Sequence, residues 1–313
     1  MRVSYMIRKE GGRMASAGAR SAPPRTRPRE LEDPLNLHIY HPLAARLARL
    51  LVPTGVSPNA VSLLSLVALC AATWAFIALD WPLNALVGLG FLLAWHVVDG
   101  ADGDLARMTG RASPTGELVD GFCDYVGNII MYVAFATVLD DTLGGWAWVV
   151  ASAAGLSHIL QTNHAETQRR LYLWRAYGVP WLRSSAADGF RVFRGGDWIS
   201  RLIGWGGVIY IWISERMNPS ENPIDAALAR AKGDPRESQR IRAMVRRASR
   251  TGLVLQKALG ANPKTFIIAG AIALGSPVYY FLTTIVVLNA LLLVSMLYHN
   301  RVDARLAAAI SRA

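Results

Sequence analysis

Apolar runs of near-membrane length restrict this chain more than any other feature of its sequence. Stretches at about 59–79, 84–106, 117–139 and 146–163 each approach the roughly twenty residues that cross a hydrocarbon core, and two more follow at about 265–280 and 282–299, separated around Ser276 and Pro277. Across 313 residues, a hydrophobic content of 52% with a net charge of +11 suits neither a small soluble enzyme nor a disordered chain. The expected fold is therefore all-α and integral to a membrane, with six spanning helices.

Between Pro34 and the first span, Leu43, Leu47, Leu50 and Leu51 recur at helical spacing while Arg46 and Arg49 fall on the other side. This predicts an N-terminal amphipathic interfacial helix leading into the bilayer. The residues before it, 1–34, are rich in Arg, Ser, Ala, Gly and Pro and lack the apolar core of a signal peptide. They read as a disordered basic arm, either touching anionic headgroups or simply solvated.

Basic residues concentrate on the cytoplasmic side of short membrane loops. The connections near Asp80 and at Asp140 and Asp141 carry none, whereas the arm, Arg107, Arg111, the region 169–264, Arg301 and Arg305 do. Both termini are thus expected in the cytoplasm, with a membrane domain over 35–300 and a tail over 301–313. An insertion at about 164–263 separates spans four and five. Within it, the apolar stretch 198–213 reads as interfacial or re-entrant, because crossing there would send Arg236, Arg240, Arg242, Arg246, Arg247 and Arg250 outside. The basic helical stretch that follows fits either an anionic lipid surface or a solvated hairpin. Cys70 and Cys123 lie far apart in apolar runs and read as small buried hydrophobes.

Against this background, Asp99, Asp102, Asp120 and Asp124 are out of place. On a helix, Asp99, Asp102, Gly103, Ala106 and Arg107 share one face, as do Gly116, Asp120 and Asp124. Gly110 and the Ser113-Pro114 pair between them supply a helix stop and a restart. The two helices should therefore run antiparallel, with their acidic faces meeting near the cytoplasmic surface. Each carboxylate costs about 2.5–3.5 kcal/mol at mid-membrane on insertion scales. Arg107 can offset one of them, whereas divalent cations could offset the set. Mg²⁺ or Mn²⁺ suits such oxygen ligands, and two ions could grip a phosphoryl group. Gly100, Gly103 and Gly116 leave room there for a ligand or for close helix packing.

Asp99 to Asp124 spell DxxDGxxAR, eight residues, then GxxxDxxxD, with every position filled. This resembles the signature of the CDP-alcohol phosphotransferase (CDP-alcohol phosphatidyltransferase) family. The resemblance implies Asp99, Asp102, Asp120 and Asp124 as metal ligands and Asp124 also as the catalytic base on the acceptor hydroxyl. It places Gly103, Arg107 and Gly116 around the CDP moiety. The stretch "SPNAVS" is similar to the family's PNxxT element, which adds Pro58, Asn59 and Ser62 as weaker nucleotide-side candidates, Ser62 standing where Thr is usual; helix capping explains the stretch equally well. The reaction so implied moves a substituted phosphate from a CDP-alcohol to an acceptor alcohol with release of CMP, in phospholipid synthesis. One partner is a lipid: either CDP-diacylglycerol donates to a polar alcohol, or a soluble CDP-headgroup such as CDP-inositol, CDP-ethanolamine or CDP-choline donates to a lipid alcohol. No nucleic-acid partner is expected. The resemblance also suggests a homodimer, in a bacterial inner membrane, with a cytoplasmic active site.

Arg169 and Arg170, at the end of span four, could clamp an acceptor phosphate or serve as positive-inside anchors. His38, His41 and His299 read as interfacial polar residues, and His96 as a packed intramembrane histidine. A competing class, an ion or proton transporter with a carboxylate relay, would spread its acids across the depth of several helices rather than cluster them on two.

Overall fold

A computed structural model describes residues 28–179 and 223–312. The expected re-entrant stretch 198–213 and most of the N-terminal arm lie outside the described residues. Among those described there is no strand.

A short π-turn, Asn36–Tyr40, opens into α1 (His41–Leu51), and two long helices follow, α2 (Pro58–Ala78) and α3 (Leu83–Met108). Next come α4 (Pro114–Leu143) and α5 (Trp146–Tyr177). After the undescribed stretch the chain forms α6 (Pro223–Arg230), α7 (Pro235–Ala248), α8 (Arg250–Ala258), α9 (Ala261–Ala273) and α10 (Val278–Ser311), the last with a π-turn over Thr283–Leu288.

Four of these helices, α2, α3, α4 and α10, are long and apolar enough to cross a membrane. That is fewer than the six expected. Helix α5 starts where the fourth span was placed, but it turns Ser157, Gln161, Asn163 and His164 into the bundle, and these polar residues lower its hydropathy. Helix α9 stops after 13 residues. The break before α10 falls at the expected place, where Gly275 adopts φ +91° and Ser276 Oγ accepts from the Val278 amide.

The main core gathers Leu69 and Phe76 of α2, Leu92 of α3, Met131 and Phe135 of α4, and Tyr280 and Phe281 of α10. Outside it, Leu63, Val67, Trp74, Leu86, Ile129 and Val133 stay exposed on the same helices. An outward apolar surface of this extent suits lipid rather than water. A second core joins Tyr172 and Ala176 at the end of α5 to Ile224, Ile241, Val245, Leu253 and Leu306. Leu31 is buried there too, so the last residues of the expected arm are docked on the bundle.

Helix α1 lies on α3 through Ala44 and Ala48, which meet Ala101 and Leu105. The leucines expected to define its apolar face divide: Leu47 and Leu51 flank this contact, while Leu43 and Leu50 remain exposed. Small residues face inward because the backbones approach closely; a Cβ on Gly100 would sit 3.2 Å from that of Ala44.

Candidate active site

Two chain reversals set up the site. Helix α3 ends in a Schellman motif: Gly110 takes φ +67°, its amide donates to the Arg107 carbonyl, and the Arg111 amide reaches the Ala106 carbonyl at 2.9 Å. Helix α4 restarts with Pro114 in its first turn and Ser113 Oγ accepting from the Gly116 amide at 3.1 Å. The same Ser-Pro device opens α2, where Ser57 Oγ accepts from the Ala60 amide. Capping in "SPNAVS" therefore falls to Ser57, which leaves Asn59 and Ser62 for other contacts.

The antiparallel pair α3 and α4 brings its acids together. One carboxylate oxygen from each of Asp99, Asp120 and Asp124 lies within 4.8 Å of the others. Oδ1 of each of these three residues is buried without a hydrogen-bond partner. Asp102 is buried on the same helix as Asp99, and it accepts a hydrogen bond from Ser62 Oγ of α2. Bare carboxylates so close in an apolar bundle are costly, and among the described residues no donor satisfies the inward oxygens. Hard oxygen ligands aimed at one point fit a divalent cation such as Mg²⁺ or Mn²⁺.

Arg107 does not turn toward this cluster. It pairs with Asp104 on its own helix, and its side chain is half exposed. Asp104, off the motif's face, is thus a paired residue. A Cβ on Gly103 would meet the Arg107 guanidinium at 3.3 Å, so these two stay adjacent. Gly116 faces α2 instead, where a Cβ would lie 3.7 Å from Asn59 Oδ1. Asn59, Ser62, Asp102 and Gly116 thus line one side of the site, and Gly103 with Arg107 lies along the outer end of α3.

Helix α5 continues past 163 without interruption to Gly178, so Arg169 and Arg170 are helical residues rather than the start of a loop. Both bond Glu166, Arg169 through Nε and Nη2 at 2.7 and 2.9 Å and Arg170 through Nε at 2.6 Å. Burial raises the Glu166 carboxyl, but the two guanidiniums outweigh it and hold it down to about 2.

Lys264 and Thr265 were not singled out in the sequence. Lys264 is 2% exposed, and its ammonium donates to Thr162 Oγ1 at 3.0 Å with no carboxylate among the described residues within ion-pair distance. Its only signal was position, a lysine directly after Pro263 at the head of an apolar run. Thr265 bonds His96 Nε2 at 2.8 Å, and the His96 ring stacks on Tyr40, which makes His96 a packed histidine as expected. Deeper in the bundle, Gln161 donates to the Thr284 carbonyl and to Asn289. That carbonyl lies in the π-turn of α10.

The described residues thus form an all-helical bundle with four helices apolar and long enough to cross a membrane and a buried carboxylate cluster between two of them. The family model for CDP-alcohol phosphatidyltransferase matches residues 55–172, from just before α2 to Tyr172 in α5. The family transfers a phosphatidyl group from a CDP-alcohol to an acceptor alcohol and generally uses a divalent metal. No curated protein matches the chain closely enough to count as a relative.

Proposed function

We propose that this protein transfers the phosphatidyl group of CDP-diacylglycerol to a polar alcohol, with release of CMP, at the membrane surface. The observation that carries this reading is the convergence of Asp99, Asp120 and Asp124, with their unpartnered inward oxygens, inside the stretch that matches the family. These three residues, with Asp102 beside them, would hold the divalent ions, in the family's manner two. Bound there, such cations neutralise a diphosphate and make its phosphorus more electrophilic.

The chain's own residues do the rest. Asn59, Ser62 and Gly116 border the nucleotide side, where the absence of a side chain at Gly116 lets a ligand approach the backbone. Gly103 and Arg107 border it at the outer end of α3. Asp124 takes the proton of the acceptor hydroxyl as the new O–P bond forms. The bond from that phosphorus to the bridging oxygen breaks, and CMP leaves with the electron pair. Arg169 and Arg170, held side by side on Glu166, offer guanidinium forks that suit an acceptor bearing a phosphate.

On this reading α5 and α9 complete six spans, α1 lies in the interface, and both termini and the site face the cytoplasm of a bacterial inner membrane. The membrane domain covers 35–300, flanked by the arm 1–34 and the tail 301–313, and the protein pairs as a homodimer. The test is CMP release by the purified protein with Mg²⁺ or Mn²⁺ over two donor panels. CDP-diacylglycerol with serine, glycerol phosphate or inositol phosphate should turn over. Turnover only with CDP-inositol, CDP-ethanolamine or CDP-choline and a lipid alcohol would reverse donor and acceptor, and no release with either panel would sink the reading.

A further inference from the structure

Outside the family domain, the loop-proximal end of α7 and the start of α8 bring Arg246, Arg247 and Arg250 to one cavity of about 460 Å³, which Tyr172 and Glu30 also line. Two of these arginines are uncommitted: Arg247 and Arg250 are exposed and make no hydrogen bond or ion pair with a described residue. Arg246 is pinned, donating to the Ala176 carbonyl at 2.9 Å and lying over the Tyr177 ring. Glu30, the one acid lining the cavity, accepts at Oε1 from both the Tyr172 and Tyr177 hydroxyls.

Other arginines nearby have been given partners. Arg240 pairs with Glu237, and Arg242 donates to the Trp174 and Arg175 carbonyls at the end of α5. Three guanidiniums converging on one cavity against a single, already bonded carboxylate leave two positive charges unmatched. Guanidinium forks fit phosphate oxygens in pairs, and a phosphate monoester near neutral pH carries about two negative charges. The cavity is of a size that holds a small ligand or a headgroup.

We infer that Arg246, Arg247 and Arg250, with Tyr172, form a second anion site that takes a phosphate monoester, separate from the carboxylate cluster. It does not depend on which alcohols the protein uses. Tyr172 sits one turn beyond Arg169 on α5, so an occupant is coupled to the helix that faces the acceptor side. The phosphate could belong to a soluble ester or to an anionic lipid headgroup, and the two are separable by experiment.

The full-length protein in neutral detergent, with excess chelator to remove metal from the carboxylates, is titrated at constant ionic strength against chloride. The probes are inorganic phosphate, short-chain phosphatidic acid and short-chain phosphatidylcholine, and the readout is the thermal midpoint. A saturable rise with inorganic phosphate assigns the site to soluble phosphates. A rise with phosphatidic acid alone, and none with phosphatidylcholine, assigns it to a headgroup. In either case the half-saturating concentration should increase at least tenfold in the Arg247→Gln/Arg250→Gln double variant. The Arg247→Lys/Arg250→Lys variant, which keeps the charge but loses the fork, should fall between and serves if the first does not fold. No rise with either anion, or the same half-saturation in wild type and a folded double variant, would overturn the site.

Discussion

Ser62 on α2 donates its hydroxyl hydrogen to Oδ2 of Asp102 on α3, linking the two helices at the edge of the carboxylate cluster. A hydrogen bond to a charged acceptor contributes about 1.5–3 kcal/mol, and about 1.4 kcal/mol corresponds to tenfold in rate. Ser62→Ala should therefore lower kcat/KM for CMP release by about tenfold or more, while Ser62→Thr, which keeps the hydroxyl, should retain most of it. Equal rates in the Ala variant and wild type would show that this bond does not orient Asp102 for the reaction.

Asp99, Asp120 and Asp124 make a prediction about metal that does not need turnover. Ligands that bind only the folded state stabilise it in proportion to their occupancy. Mg²⁺ or Mn²⁺ should raise the thermal midpoint of the detergent-solubilised protein, and Asp99→Asn or Asp120→Asn should shrink that rise. In excess chelator the order reverses: Asp120→Asn should melt above wild type, because one of the mutually repelling buried charges is gone. In activity, chelator should abolish CMP release, and Asp124→Asn should abolish it at saturating metal. A metal-independent midpoint in wild type would count against cation binding by these acids.

Arg169 and Arg170 both bond Glu166 on α5. If the two guanidiniums meet the acceptor, the Arg169→Gln/Arg170→Gln double variant should raise KM for a phosphate-bearing acceptor about tenfold or more while changing kcat little. KM for serine should move far less. A uniform loss of kcat for every acceptor would point to a packing role for the pair instead.

The acids were legible because helical periodicity is local: 99, 102, 120 and 124 fall on two faces whatever the rest of the chain does. The turn between the helices was equally legible, since Gly110 and Ser113-Pro114 are short-range signals with fixed stereochemistry. The length of α5 was obscured by its polar residues, although Gly178, at φ +73°, marks its end in the sequence as plainly as Gly110 marks that of α3. The face of α1 that packs on α3 was not legible, because hydrophobicity picks out leucine, whereas close approach to α3 selects Ala44 and Ala48. Lys264 and Asn262 were not legible. Their partners, Thr162 for the first and Asp33 and Asn36 for the second, lie 102 or more residues away and are chosen only by tertiary packing.

Arg175 shows what that packing achieves beyond the family domain. Its guanidinium bonds both oxygens of Asp225 on α6 at 3.0 Å and Oδ2 of Asp303 on α10 at 2.9 Å, with only 7% of its side chain exposed. Burial works against the charge, but the two carboxylates outweigh it and keep Arg175 firmly protonated. Removing one partner of a buried ion pair costs about 3–5 kcal/mol, because the remaining charges lose their counterion. Arg175→Met takes the guanidinium away from both carboxylates and should lower the thermal midpoint strongly. Arg175→Lys keeps the charge but cannot reach both aspartates with the same fork, so it should fall between Met and wild type. Limited proteolysis supplies the second measurement: in Arg175→Met, cleavage should appear first between α6 and α8, whose shared core with α5 this residue fastens. If the Met variant melts like wild type and resists protease equally, the apolar contacts of Ile224, Ile241 and Leu306 hold that end of the bundle without it.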